Sequence, residues 1–353
     1  MGNKYYITKA FAELGHFLSQ FTTNGIDKKE NVLHNDLFFD GFKQQIKLAK
    51  EHNGWFTENN ILFALEGWSN LLTENNLNQW LSSYNLDEVE PKKVAIIMAG
   101  NIPLVGFHDF LSVLITGHEV LVKQSSNDKQ LLPFLSKYLE YVSPELKGKI
   151  TFTEDKLQDF DAVIATGSNN TARYFEYYFK SKPSIIRQNR NSVAVLTGEE
   201  TEDQLNALSE DIFRYYGLGC RNVSKLFVPK DYNFDGFFNA MYKWHPIIEE
   251  AKYANNYDYN KAVYLMSEFD MLENGFLMIK EDQSYASPIA TVFYEYYDSL
   301  EQLQKKLTAD EDLIQCVVSK GLTENDVDFG MTQKPQLWDY ADGVNTIEFL
   351  LKI

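Results

Sequence analysis

The chain has 353 residues, long enough for two domains that each bury a core. Hydrophobic residues make up 44% and charged residues 24%, the texture of a globular protein. A net charge of −17 argues against a general nucleic-acid binder and against a protein that coats an anionic membrane.

Residues 1 to about 90 read as helical, with segments at Ile61 to Leu72 and Leu77 to Tyr84. Val94 to Met98 is a short apolar strand, followed by the loop Ala99-Gly100-Asn101-Ile102-Pro103. A helix from about Val105 to Ile115 leads to a second strand, Glu119 to Lys123. A helix over Lys129 to Tyr141, strands near Lys149 to Phe152 and Asp161 to Ala165, and a helix over Asn170 to Phe179 continue the alternation. Strands that are apolar throughout are buried on both faces, and repeated βα units predict a doubly wound parallel sheet.

A second region opens at the strand Ser192 to Leu196. Thr201-Glu202-Asp203-Gln204 has the form of a capping box and starts a helix that runs to about Tyr216. Val223 to Val228 is a strand, and helices are expected over Gly236 to Tyr253 and Tyr259 to Glu268. Ile289 to Tyr296 and Leu313 to Ser319 read as strands, and the apolar tail Val344 to Ile353 reads as a further strand. An exposed strand edge invites pairing, so a homo-oligomer is expected.

Two cysteines make no disulfide framework, and a reducing cytoplasm fits them. The N-terminus lacks the apolar region of a signal peptide, and Tyr6 stands where a myristoylation motif has Ser or Thr. The weakly charged run Ala95 to Gly117 is interrupted by Gly100, Pro103, Gly106 and Asp109, so no membrane insertion is expected. The histidines form no HxxxH or Cys/His cluster, so no metal is expected either. There is no GxSxG elbow and no GxxxxGK[ST] loop.

Chemistry concentrates in four loops. Cys220 follows Gly217-Leu218-Gly219, between a helix and a strand. Gly217 can end the helix at positive φ, Gly219 lets the backbone approach a substrate, and Arg221 brings a charge that favours thiolate. A cysteine is as readily a small buried hydrophobe, and Cys316, inside a strand-like run, is read that way. Asn101 lies at the carboxyl end of a buried strand, where its amide can donate to a developing oxyanion or simply make a turn. Gly167-Ser168, between strand and helix, suits a phosphate or an ordinary helix cap. Lys123 ends a buried strand, and His108 lies near Asn101.

In this order, Asn101 with Pro103, then Lys123, then Gly167-Ser168, then Gly217-Leu218-Gly219-Cys220 resemble the aldehyde dehydrogenase superfamily over about Lys92 to Pro229. The segments Met98 to Pro103, Arg187 to Ser192 and Leu337 to Gly343 resemble its acyl-CoA reductase branch, the LuxC-like fatty acyl reductases. The resemblance implies a Rossmann-like cofactor domain over 1–188, which includes the N-terminal helices, and an α/β catalytic domain over 189–325. A C-terminal segment, 326–353, would carry an oligomerisation strand.

It further implies that Cys220 forms a thioester, that Asn101 and the Cys220 N–H hold the oxyanion, and that Lys123, Ser126, Gly167 and Ser168 bind the cofactor. Arg187, Arg190 and His108 are candidate substrate contacts. Three departures refine the reading. Ile186 falls where oxidising members carry a water-activating Glu, and an Ile cannot act as a base. Ser126 replaces a Glu found in NAD-preferring relatives, which removes repulsion toward a 2′-phosphate and favours NADPH while admitting NADH. Ser284 stands where relatives place a Glu on the nicotinamide ribose, so that contact is not carried over. The expected activity is NAD(P)H-dependent reduction of an acyl-CoA or related acyl thioester to an aldehyde. Oxidation of an aldehyde to an acid and a non-catalytic acyl-binding or scaffold subunit are the alternatives.

Overall fold

A computed structural model describes residues 2–86, 89–323 and 326–353. The chain divides into two compact units, Met1–Gln188 with Gln336–Ile353, and Asn189–Pro335. The first begins with α1 (Gly2–Leu18), the small hairpin β1 (Phe21–Thr22) and β2 (Gly25–Ile26), α2 (Asn35–His52), α3 (Glu58–Leu71) and α4 (Glu74–Leu81). Thr57 and Thr73 cap α3 and α4 by accepting from the N–H groups of Asn60 and Asn76. Phe17, Phe21 and Phe42 pack together, and Tyr138 stacks on Phe17 at 4.5 Å. These helices therefore share one core with the sheet that follows.

That sheet comprises β3 (Lys93–Ile97), β4 (Glu119–Lys123), β5 (Ile150–Phe152), β6 (Ala162–Thr166) and β7 (Ser184–Arg187), joined through α5 (Phe107–Ile115), α6 (Leu131–Val142) and α7 (Asn169–Phe179). All its pairings are parallel, in the order β5-β4-β3-β6-β7. The chain winds outward on one side of β3 and returns to begin the other side at β6. The switch point thus lies between these two strands, where open α/β sheets bind ligands at their carboxyl ends.

The second unit holds β8 (Asn191–Val195), α8 (Glu202–Phe213), β9 (Val223–Pro229), α9 (Asp235–Met241), α10 (Ala251–Met266), β10 (Met271–Glu273), β11 (Met278–Glu281), β12 (Thr291–Tyr297), α11 (Leu300–Ala309) and β13 (Ile314–Val318). Its sheet runs β10-β11-β12-β9-β8-β13, parallel except for β10. The chain then returns to the first unit and ends in α12 (Thr346–Lys352).

Two expectations are corrected. The helix expected over Gly236 to Tyr253 breaks into α9 and a 3-10 stretch, Tyr242–Glu249, which contains Pro246. Proline lacks the N–H that a continuing α-helix needs. The next helix instead starts at Ala251. The tail is helical, so the expected oligomerisation strand is absent and the edge-pairing argument for a homo-oligomer goes with it. Asn345 caps α12 through the Glu348 N–H, and Ile347 and Leu350, three apart, face the core. The short strands β7, β10 and β11 were not expected, although the apolar run Phe276 to Ile279 leads into β11.

Candidate functional site

In the first unit, Ile97 pairs with Lys123 on one side and with Ala165 on the other. The loops carrying Asn101 and Gly167-Ser168, and the end of the strand carrying Lys123, therefore meet at one sheet edge. Asn101 is exposed there. Gly100 is required by packing: a Cβ would lie 2.6 Å from both Cβ and Oγ of Ser125. The loop after β3 thus presses its backbone on the loop after β4. Leu104 adopts a left-handed φ of 57°, and its N–H donates to Asp128 Oδ2 at 3.1 Å. Burial pushes the Asp128 carboxyl up to about 6, against the opposing pull of that N–H.

The loop after β4 is braced by the end of α2. His52 Nε2 donates to the Ser126 carbonyl at 2.6 Å, and Asn53 Nδ2 to the Asn127 carbonyl at 3.4 Å. Ser126 itself is exposed. Lys123 Nζ donates to the Asp155 carbonyl at 2.8 Å. On the other side of β3, Ser168 caps α7 by accepting from the Thr171 N–H at 3.3 Å. A Cβ on Gly167 would come within 3.0 Å of Thr171 and Phe175. This corner suits the phosphates of a dinucleotide, because helix geometry leaves first-turn N–H groups without intrahelical acceptors.

Three candidate substrate contacts are hydrogen-bonded within the fold. Arg187 is buried, with Nη2 donating to Asp109 Oδ1 at 2.6 Å and Nε to Oδ2 at 3.3 Å. Its remaining donors reach the Ala341 carbonyl and Thr346 Oγ1, at 2.8 and 3.0 Å. The guanidinium thus ties the returning C-terminal segment to β7 and α5. His108 Nε2 donates to the Leu337 carbonyl at 2.8 Å, and its ring clusters with those of Trp80 and Tyr340. Burial lowers its pKa, which keeps it neutral. Arg190 Nη1 donates to the carbonyls of Glu311 and Ile314 in the second unit. Charge and ring type marked these residues as site candidates, and partners distant in sequence claimed them.

The cysteine loop belongs to the second unit. The capping box that starts α8 is present, with Thr201 and Gln204 bonded reciprocally. After α8, Tyr215, Tyr216 and Gly217 all take left-handed conformations, with φ of 55°, 60° and 74°. The left-handed region costs a non-glycine residue about 1–2 kcal/mol. Both tyrosine rings are buried, which holds the strained backbone in place. The chain emerges with Cys220 exposed. Ser192 Oγ donates to the Cys220 carbonyl at 3.0 Å, and Arg221 Nε to the Thr332 carbonyl at 2.6 Å.

Asn222, which sequence reasoning passed over, is buried beneath this turn. Its Oδ1 accepts from the Gly219 N–H at 2.8 Å, and its Nδ2 donates to the Arg214 carbonyl at 2.8 Å. An Asn three residues after a glycine, closing a turn through its own side chain, was the available signal. Buried Asp211 secures the neighbouring segment by accepting from the N–H groups of Gly330 and Thr332.

Beside the loop lies a cavity of about 30 Å³, lined by residues that include Phe213, Tyr216, Gly217, Ser224, Tyr253 and Pro288. Ser284 is exposed, and its N–H donates to Asp282. Among the described residues, no group of three or more His, Cys, Asp or Glu could hold a metal ion. No helix among them is long and apolar enough to cross a membrane.

Known proteins share this fold. Over 85% of the chain it matches the indole-3-acetaldehyde dehydrogenase AldA of P. syringae, solved with NAD+, with a TM-score of 0.61, 14% identity and 69% of that protein covered. Aldehyde dehydrogenase 21 of Physcomitrella patens, solved with succinate, matches all of the chain and 84% of its own, with a TM-score of 0.66 and 11% identity. At these identities the likeness is one of fold.

In sequence, the long-chain acyl-protein thioester reductase of Aliivibrio fischeri is 23% identical over 232 residues, 59% of this chain and 47% of that protein. The chain thus spans about half the length of that curated relative. The family described as acyl-CoA reductase (LuxC) matches residues 43–237, a stretch that contains Asn101, Lys123, Gly167, Ser168 and Cys220. With that match over more than half its length and the fold of an aldehyde dehydrogenase, the chain belongs to the LuxC acyl-CoA reductase family.

Proposed function

We propose that this protein reduces an acyl thioester to an aldehyde through a thioester on Cys220. The observation that carries the reading is an exposed cysteine on a braced, strained turn, inside the stretch that matches the family. Cys220 attacks the acyl carbon as thiolate, and the departing thiol, coenzyme A or a related carrier, takes up the proton. Asn101 serves as an uncharged donor to the oxyanion.

A nicotinamide dinucleotide fits the edge of the first sheet. The solved AldA protein holds NAD+, and the donors here are the Lys123 ammonium, the Ser126 hydroxyl and the first turn of α7. The bound dinucleotide would supply the hydride that, with one proton, releases the aldehyde and restores the thiol. Ser126 places no carboxylate against a 2′-phosphate, so NADPH is the proposed donor and NADH the alternative. Ile186, half-buried on β7, offers no base to activate water, which favours reduction of the acyl group over its hydrolysis.

The test mixes the full chain with NADPH and a panel of acyl-CoAs and follows NADPH absorbance and thiol release. Wild type is expected to consume NADPH and the Cys220→Ala variant not to. Equal behaviour of the two proteins sinks the covalent mechanism. Reduction of NADP+ by an aldehyde without coenzyme A, releasing acid, would instead support the oxidising alternative.

A further inference from the structure

We infer that Asn222 is a positioning residue for the Cys220 thiol, acting by fastening the thiol-bearing turn to the end of α8. This rests on the proposed role of Cys220 as the acyl acceptor and adds a residue that the role requires. The side chain is 2% exposed and makes bonds in two directions. Toward the turn, Oδ1 accepts from the Gly219 N–H at 2.8 Å, while the Asn222 N–H donates to the Gly219 carbonyl at 3.0 Å. Cys220 and Arg221 are the two residues enclosed by this double clasp. Toward the helix, Nδ2 donates to the carbonyls of Arg214, Asp211 and Ile212 at 2.8, 3.0 and 3.4 Å.

The second set of bonds answers a specific need. The last carbonyls of a helix lack intrahelical partners, and a glycine immediately after the helix commonly turns the chain so that nearby N–H groups reach them. Here buried tyrosines occupy the left-handed positions before Gly217 is reached. The Asn222 amide supplies donors in their place, and the same side chain grips Gly219. Helix end and turn are thereby fixed relative to one another through one planar group with no torsion between its donor and acceptor ends.

Only an amide of this length does both jobs. Aspartate retains the acceptor for Gly219 but sets a carboxylate oxygen against three carbonyls, and alanine loses both ends. Attack on an acyl carbon depends on placement to within about 1 Å, and an error of that size costs about 100-fold in rate. Alkylation by a small, freely diffusing reagent has no such requirement.

The experiment uses the full chain with Asn222→Asp and Asn222→Ala. Acylation of Cys220 by acyl-CoA without NADPH is timed by rapid quench and mass spectrometry, and iodoacetamide alkylation is timed in parallel. Acylation is expected to slow about 100-fold, with alkylation within a few-fold of wild type. Steady-state kcat should fall with the KM for NADPH unchanged. A folded variant that acylates at the wild-type rate overturns the inference. Should both variants unfold, hydrogen exchange of wild type decides. A protected Gly219 amide supports the clasp, and exchange at the free-chain rate overturns it. Wild-type Cys220 that accepts no acyl group while the Gly219 amide is protected overturns the acyl-acceptor reading, and with it the positioning role, but leaves the clasp intact.

Discussion

Asp128 holds the turn that carries Asn101, and its ionisation should cost stability as pH rises from mild acid to neutral. One carboxylate oxygen, Oδ2, accepts the Leu104 N–H. The other, Oδ1, is buried without a hydrogen-bond partner among the described residues. No neighbouring charge offsets the burial, which raises the carboxyl from 3.8 to about 6. The folded protein therefore holds the Asp128 proton more tightly than the unfolded chain does. Its contribution to stability is full below about pH 4 and is lost as pH rises through about 6, an effect of about 3 kcal/mol.

Asp128→Asn removes the titration while keeping an oxygen for the Leu104 N–H. The stability difference between variant and wild type should then shift by about 3 kcal/mol in the variant's favour from about pH 4 to about pH 8. Urea unfolding followed by tryptophan fluorescence across that range measures the difference and cancels every other titrating group. Parallel stability curves for the two proteins would refute the reasoning.

Arg187→Met should destabilise the first unit by about 3–5 kcal/mol, because Asp109 is left buried without its partner; adding Asp109→Leu should recover most of the loss in thermal unfolding. His108 is held below its usual 6.5 by burial, so its contribution is present above that value and is lost as pH falls. Protease cleavage within 336–353 should accelerate from about pH 7 to about pH 5 in wild type and respond less in His108→Gln, which keeps a donor for Leu337. Gly100→Ala should cost about 1–3 kcal/mol through overlap with Ser125 and weaken NADPH binding measured by fluorescence titration. Ser125→Gly should restore both.

The strands and helices that frame the candidate site were legible in the chain itself. Continuous apolar runs such as Val94 to Ile97 and Ala162 to Ala165, four residues long and bounded by polar loops, read as strands buried on both faces, and their alternation with helices leads to a parallel sheet. The Thr201 capping box and the positive φ of Gly217 were also readable, because each depends on residues only a few positions apart. The tail was not. Ten apolar-rich residues satisfy a strand or a helix equally well, and the choice follows from Ile347 and Leu350 packing into the first unit. The fates of Arg187 and His108 were equally hidden, since Asp109 and Leu337 lie 78 and 229 residues away from them.

Asn222 is the instructive exception, with all its side-chain partners within eleven residues. It was missed because hydrophobic periodicity carries no information about where a buried amide sends its hydrogen bonds. By itself the sequence determined the order of elements and the position of Cys220 between α8 and β9, through local backbone preference and apolar periodicity. The tertiary structure decided which polar side chains hold the frame, because a buried donor must be paired and its partner is chosen by proximity in space.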